Sequence, residues 1–292
     1  MTYPNENYQN PGPSWPHPYP SNPMPTNWPY MPTPWIQEND SSYRAKEQPL
    51  TFVLVHGSWA DTSFWAGIAS ELSKKGHTVY VPEFPGHGAD PNKNVTHAMM
   101  SKSIADFIIS HNLHNIILVA HSFGGTLIQK VAELVPDRLK RLVFLNAFVL
   151  KDGGMAADEF PPHITEQFKQ LVASSKNNTL TLPFELFRET FTNLATLEQA
   201  KRIYSKASPE PAGPLFEKLD LKKFYSLPIP KSYVYIMEDN VIPFGDPNYG
   251  WHPHMSSRLG IFRFLQLHGD HMTTPQYEPK LVASKLYEAA RD

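Results

Sequence analysis

From Thr51 onward, short apolar runs alternate with segments whose hydrophobic residues return at helical spacing. The runs fall at 51–55, 78–82, 115–120, 141–146, 232–237 and 261–267, and they read as strands buried on both faces. Between the second and third, Met100, Ile104, Phe107 and Ile108 form one stripe of a helix that packs on a core. Leu281, Val282 and Leu286 mark a last helix that closes the sheet. Strand and helix in alternation predict an α/β fold: about six parallel strands with helices on both faces. Residues 151–227 interrupt the pattern. They are helical over 165–172, 182–192 and 197–205, and are broken by Pro161, Pro162, Pro209, Pro211 and Pro214. An insertion between the fourth and fifth strands sits over the C-terminal strand ends, so it reads as a helical cap on a core of 47–150 and 228–292. Of its apolar residues Phe160, Phe168, Leu171, Leu182, Phe184, Phe187 and Phe191, most are expected to pack the cap and a minority to line a pocket.

The first 46 residues differ in kind. They hold eleven of the chain's 29 prolines among Tyr, Trp and Asn. Proline at nearly alternate positions forbids helix and sheet ladders, which predicts a disordered or polyproline-like extension. The segment has neither a basic start nor an apolar run of signal-peptide length, and no stretch of the chain is long and apolar enough to span a bilayer. The expected location is therefore the cytoplasm. A place on a cell or spore surface is the alternative if the tail's Trp and Tyr meet a surface partner.

Chemistry enters where the third run stops. Leu118-Val119-Ala120-His121-Ser122-Phe123-Gly124-Gly125 ends a strand in a serine flanked at two residues by Ala120 and Gly124. Small residues at those places let a strand turn sharply into a helix with the serine hydroxyl exposed, which is a nucleophile elbow in the form A-x-S-x-G. Such an elbow is followed along the chain by an acid and then a histidine. Asp239 sits at the mouth of the 232–237 run, and the spacing Asp-x-x-Ile-Pro favours it over the competing Glu238, which reads as the last strand residue. His271 follows the 261–267 run, and Gly269 just before it lets the backbone turn the imidazole inward. His268 reads as a packing or capping residue. The first run passes directly into His56-Gly57-Ser58-Trp59, whose loop supplies one oxyanion donor, Ser58 N–H, while the residue after the nucleophile, Phe123, supplies the other. His56 itself is expected to fix this loop.

These segments resemble the α/β-hydrolases of the group that includes plant hydroxynitrile lyases and methyl salicylate esterases. The resemblance runs from about Thr51 to the C-terminus. Its carriers are the 52–59 run, Pro85-Gly86-His87-Gly88, the serine segment, Asp239-Asn240-Val241-Ile242-Pro243 and Gly269-Asp270-His271-Met272. Asn146-Ala147-Phe148-Val149-Leu150, Ser208-Pro209-Glu210-Pro211 and the 251–260 segment are similar to bacterial pyrethroid-hydrolysing carboxylesterases. Trp59 beside the oxyanion loop, Phe148 leading into the apolar cap and motifs free of Arg and Lys predict a serine carboxylesterase for uncharged, hydrophobic esters, with aryl or pyrethroid-like esters among them as the resemblance implies. A hydroxynitrile lyase of this group carries a lysine beside the histidine, where Met272 stands. A lactonase or perhydrolase would use the same triad, and a ligand-binding or coat protein is the non-catalytic alternative.

Composition narrows the partners. A net charge of −2 and a pI near 6.7 give no electrostatic case for nucleic acid. The absence of cysteine removes disulfides and thiolate chemistry. The expected mechanism needs no cofactor and no metal, only a small-molecule ester.

Overall fold

A computed structural model describes residues 48–291, so the proposed N-terminal extension (1–46) lies outside the described residues. Eight strands follow in chain order: β1 (Thr51–Val55), β2 (Thr78–Tyr80), β3 (Ile116–Ser122), β4 (Leu139–Ala147), β5 (Thr179–Leu180), β6 (Glu210–Pro211), β7 (Lys231–Ile236) and β8 (Arg263–Leu267). The helices are α1 (Ala66–Lys74), α2 (His97–Ser110), α3 (Gly124–Leu134), α4 (Pro162–Ser174), α5 (Phe184–Phe191), α6 (Leu197–Tyr204), α7 (Lys222–Ser226), α8 (Thr273–Tyr277) and α9 (Pro279–Ala290). Six of the strands make one parallel sheet in the order β2-β1-β3-β4-β7-β8. Of the six runs that read as doubly buried, β3 is buried throughout, β1 and β7 beyond their first residue and β4 from Leu142 onward, but the edge strands β2, with no buried residue, and β8, with only Leu267 buried, are not, because each has a neighbour on one side only.

The order places the site. From β1 the chain goes outward to β2 and then crosses back to β3. Right-handed crossovers therefore put α1 on one face of the sheet and α2 and α3 on the other. α9 packs against α1, and α2 against α3. Where the direction reverses, the loops after β1 and β3 leave toward opposite faces and open a crevice at the strand ends. The Ser58 loop and Ser122 are the residues at that crevice.

Met100, Ile104 and Ile108 bury their side chains along α2 as the spacing predicts. Leu281 does not share the fate of Val282 and Leu286. It is 40% exposed, because α9 is covered on one side only. β7 stops at Ile236, so Glu238 lies two residues past the strand rather than at its end.

Between β4 and β7 the first helix is longer than its apolar stripe: α4 starts at Pro162, whose fixed φ suits a first helical turn, and continues to Ser174, whereas α5 (Phe184–Phe191) is shorter than the 182–192 expected, starting only after Pro183. α6 begins on a reciprocal capping pair, Thr196 with Gln199. β5 and β6 pair antiparallel, Leu180 opposite Glu210. This two-residue ribbon has no apolar alternation to betray it, yet it brings Glu210 to the oxyanion loop.

Candidate active site

Ser122 is the last residue of β3 and has a φ of +54°, a conformation that costs a non-glycine residue about 1–3 kcal/mol. The neighbours over-determine it. Phe148 N–H donates to Ser122 O at 3.0 Å, and α3 begins at once with Gly124. A Cβ on Gly124 would lie 2.5 Å from His56 O and 2.9 Å from Val55 O, so only glycine lets the new helix pass this close to the end of β1. Ala120 fits two residues earlier, fully buried.

Asp239 and His271 are brought together. His271 Nδ1 donates to Asp239 Oδ2 at 2.5 Å, with both side chains buried. Two backbone amides also donate to the carboxylate, Val241 N–H at 2.6 Å and Ile242 N–H at 3.3 Å, both to Oδ1. This turn is the physical content of the Asp-x-x-Ile-Pro spacing. Asn146, at the end of β4, donates to Oδ2 at 2.5 Å and is itself held by the Ile236 backbone, which it meets with both its oxygen and its nitrogen. The orientation of the acid thus rests on an asparagine whose signal in the sequence is a lone polar residue closing an apolar strand.

His271 Nε2 is buried and has no hydrogen-bond partner; among the described residues nothing links it to Ser122 Oγ. With Nδ1 carrying the proton that Asp239 accepts, Nε2 presents a lone pair. Several contacts hold the ring. His121 Nε2 donates to His271 O at 3.1 Å and its own ring lies 4.4 Å away, while Phe191 meets the imidazole edge-on at 5.4 Å. Burial, with His271 beside it, holds His121 well below the usual imidazole range, so it stays neutral. Gly269 takes a φ of +135°, and Asp270 ties the loop down by accepting from Thr273, Thr274 and Leu194 N–H groups.

Glu238 does not reach His271. It accepts from Gly269 N–H at 2.6 Å and from His268 Nδ1 at 2.8 Å, and these contacts, the Gly269 amide first, hold its carboxyl below the usual range.

The oxyanion loop is held by acids that its own sequence does not reveal. His56 is clamped between Gly57 O at 2.9 Å and Glu83 Oε1 at 2.6 Å. Trp59 has a φ of +58°; its N–H donates to Glu210 Oε2 at 2.8 Å and its indole N–H to Leu180 O at 2.9 Å. The same Glu210 oxygen accepts from His87 Nε2 at 3.0 Å, a pair with no exposed side-chain surface. Burial opposes a charge on His87, yet the Glu210 carboxylate holds its pKa above the ordinary range. Burial opposes the charge on Glu210 too, and the His87 ring keeps it below the usual carboxyl range. Among the described residues no loop carbonyl or side chain accepts from the Ser58 or Phe123 N–H. Ser58, Trp59, Ser122, Phe123 and Phe148 line one small cavity. The arrangement can deliver a hydroxyl, an orienting carboxylate–imidazole pair and two amide donors to one bound carbonyl.

Among the described residues no cluster of His, Asp and Glu is arranged to hold a metal ion, and no helix is long and apolar enough to cross a membrane.

Residues 51–243 match the family model of the alpha/beta hydrolase fold. A solved extracellular alpha/beta-hydrolase from a Paenibacillus species, described as sharing structural and functional homology with tobacco salicylic acid binding protein 2, is 59% identical with a TM-score of 0.81, over 84% of this chain and 100% of that one. A carbendazim-hydrolysing esterase of Nocardioides is 34% identical over 124 residues, 40% of this chain and 51% of that protein. A pyrethroid hydrolase from Sphingobium faniae shares the fold, with a TM-score of 0.65 at 17% identity over 83% of this chain and 98% of that one. The chain spans about half the length of the curated relatives it matches.

Proposed function

The chain belongs to the alpha/beta hydrolase family, and from that premise we propose that it is a serine carboxylesterase acting on uncharged, hydrophobic esters. One observation carries the reading: a buried histidine, held by Asp239 through Nδ1, keeps an unpartnered Nε2, and its ring packs 4.4 Å from that of His121, the neighbour in sequence of a serine in the strained elbow conformation.

In this mechanism Ser122 Oγ attacks the ester carbonyl carbon as Nε2 takes its proton. The carbonyl oxygen becomes an oxyanion that accepts from Ser58 and Phe123 N–H. The carbonyl carbon's bond to the alkoxy oxygen breaks, and His271 returns the proton so that the alcohol leaves. Water then adds to the acyl-enzyme, losing its proton to the same nitrogen, and the acid departs as Ser122 is restored. Asp239 holds the reactive tautomer and stabilises the transient imidazolium.

Apolar walls favour uncharged substrates, since Phe148, Phe160, Phe168, Phe191 and Leu215 surround the serine. The relatives named as esterases support the ester class. Residues 1–46 are assigned to an extension, 151–227 to the cap and the remainder to the core. The relative described as extracellular supports a location outside the cell over the cytoplasmic one.

Ser122→Ala tests the reading. Hydrolysis of p-nitrophenyl butyrate should fall by about 10⁴-fold or more with the melting temperature unchanged, and labelling by a fluorophosphonate should be lost. A variant that kept more than a tenth of its activity would dismiss Ser122 as nucleophile.

A further inference from the structure

The sheet's own ladder stops short of the acid and the base. Between β7 and β8 it continues for two bonds past the strands, Met237 N–H to Leu267 O and Glu238 N–H to Gly269 O, both at 3.0 Å. Asp239 N–H then turns back to Ile236 O at 3.4 Å.

The segment between α5 and α6 takes over from there. Asn193 Nδ2 donates to Glu238 O at 2.8 Å, and Asn240 Nδ2 donates to Glu189 O at 2.9 Å. Leu194 N–H donates to Asp270 Oδ2 at 2.8 Å, and Met272 N–H donates to Phe191 O at 2.9 Å. Glu238 and Asn240 are the two chain neighbours of Asp239, and Asp270 and Met272 are the two chain neighbours of His271. One short stretch thus grips each loop on both sides of its functional residue, while the Phe191 ring lies edge-on to the imidazole itself at 5.4 Å.

The stretch is internally fixed. Thr192, fully buried, closes α5 by donating both its N–H and its hydroxyl to Arg188 O at 3.2 Å, and Ala195 N–H donates to Thr192 O at 2.9 Å before Thr196 caps α6. Because these bonds already hold the backbone, gripping the two loops costs little further conformational entropy. Asn193 makes its bond with Oδ1 buried and unpartnered, so an apolar residue would serve the packing better and the amide is there for Glu238. We propose, resting on the esterase reading, that residues 189–194 are a template that sets the spacing of acid and base, with Asn193 and Asn240 as positioning residues acting through the Asp239 loop. α5 then moves with the acid and the base rather than opening as a lid, since lifting it would draw Asp239 from His271.

The test measures kcat and KM of the full chain for p-nitrophenyl acetate in Asn193→Leu, in Asn240→Ala and in the control Thr196→Ala, which loosens the start of α6 without touching either loop. A displacement of about 1 Å can cost about 100-fold, so kcat should fall by about tenfold or more in Asn193→Leu and about threefold or more in Asn240→Ala, with KM moving less than about twofold. Asn193→Leu should keep the wild-type melting temperature, and Thr196→Ala should keep most of its kcat. In an Asp239→Asn background Asn193→Leu should add less than about twofold, because the template has no acid left to place. The nitrogen chemical shifts of the His271 ring give a reading that needs no turnover: both asparagine variants should draw the Nδ1 signal toward that of a free imidazole. Asn240 is exposed, so its variant carries the test even where Asn193→Leu does not fold. Full kcat with unchanged ring shifts overturns the template, as does an equal loss in Thr196→Ala or a loss that multiplies in full with Asp239→Asn. If the wild type hydrolyses no ester and Ser122 is not labelled by fluorophosphonate, the esterase reading itself has failed, and the ring shifts alone decide on the template.

Discussion

Among the described residues two histidine–carboxylate pairs are buried on both sides, alike in chemistry and unlike in consequence. His271–Asp239 joins the loops after β8 and β7; His87–Glu210 joins the loop after β2 to the ribbon strand β6. At His87 both ring nitrogens face acceptors, Glu210 Oε2 at 3.0 Å and Pro85 O at 3.3 Å, so the ring is suited to carry two protons and remain charged. At His271 one nitrogen faces the acid and the other has no hydrogen-bond partner among the described residues. A ring with both nitrogens filled is a strut, even though Glu210 Oε1 beside it is buried without a partner. A pair with one buried lone pair idle can accept a proton, and in the proposed mechanism Ser122, held at φ +54°, supplies it.

The sharpest consequence concerns which pair sustains turnover. Asp239→Asn should leave the fold intact but lower kcat/KM for p-nitrophenyl acetate by about 10⁴-fold, because the imidazole loses both its orienting acceptor and the charge that stabilises its protonated form. His87→Gln should keep more than a hundredth of wild-type activity. Equal losses in the two variants would abolish the distinction between base and strut.

Glu210→Gln comes next. Removing one member of a buried pair leaves the other charge uncompensated and costs about 3–5 kcal/mol. Urea denaturation should show a loss of that order. Because Glu210 also accepts from Trp59 N–H beside the Ser58 donor, kcat should fall about tenfold or more as the oxyanion loop loosens, with KM moving less. A stable variant with full kcat would restrict Glu210 to no role at all in positioning.

The pair also carries a pH signature. His87 has its pKa raised by folding, so its contribution is complete below the ordinary imidazole value of about 6.5 and is lost as pH rises through the raised value. Glu210, lowered by folding, contributes above the ordinary carboxyl range and loses that contribution as pH falls through its depressed value. His97 acts in the opposite sense from His87. Burial lowers its pKa to about 3, so it contributes above about 6.5 and loses stability as pH falls toward about 3. Melting temperatures measured from pH 5 to 9 should therefore show the gap between wild type and Glu210→Gln narrowing as pH rises, while both lose stability on the acid side. A gap that widens with pH would mean that His87 is neutral.

The same two pairs mark what could be read before any coordinates. The central strands β1, β3, β4 and β7 are legible because burial on both faces writes itself as an apolar run, whereas the edge strands β2 and β8 are largely unburied and are marked only by β-branched and aromatic residues. Ser122, Asp239 and His271 stand out because each lies just where such a run ends, and loops at strand ends are where this architecture gathers chemistry. Glu210 stands between Pro209 and Pro211 in a segment without an apolar run, and its partner His87 is one of 13 histidines in the chain. Their meeting depends on how the segment between β4 and β7 packs on the sheet, a long-range contact that no periodicity encodes. Asn146 is an intermediate case, visible as a polar residue at the end of β4 but unassigned until the acid is seen beside it.

A third pair sets the lower limit of the comparison. His268–Glu238 joins the same two loops as His271–Asp239, only a few residues away, but the His268 side chain is 81% exposed. Water screens such a pair, and exposed ion pairs contribute about 0–1 kcal/mol. Glu238 does more than pair with His268, since it accepts from Gly269 N–H where the backbone reaches a φ of +135°. A neutral amide still offers an oxygen to that N–H, so Glu238→Gln should retain the turn. The expected effect is a loss of kcat/KM of about threefold or less and a change in stability below about 1 kcal/mol. Parallel assays of Glu238→Gln and Asp239→Asn on one ester decide between the adjacent acids, and a larger loss from Glu238 would transfer the orienting role to it.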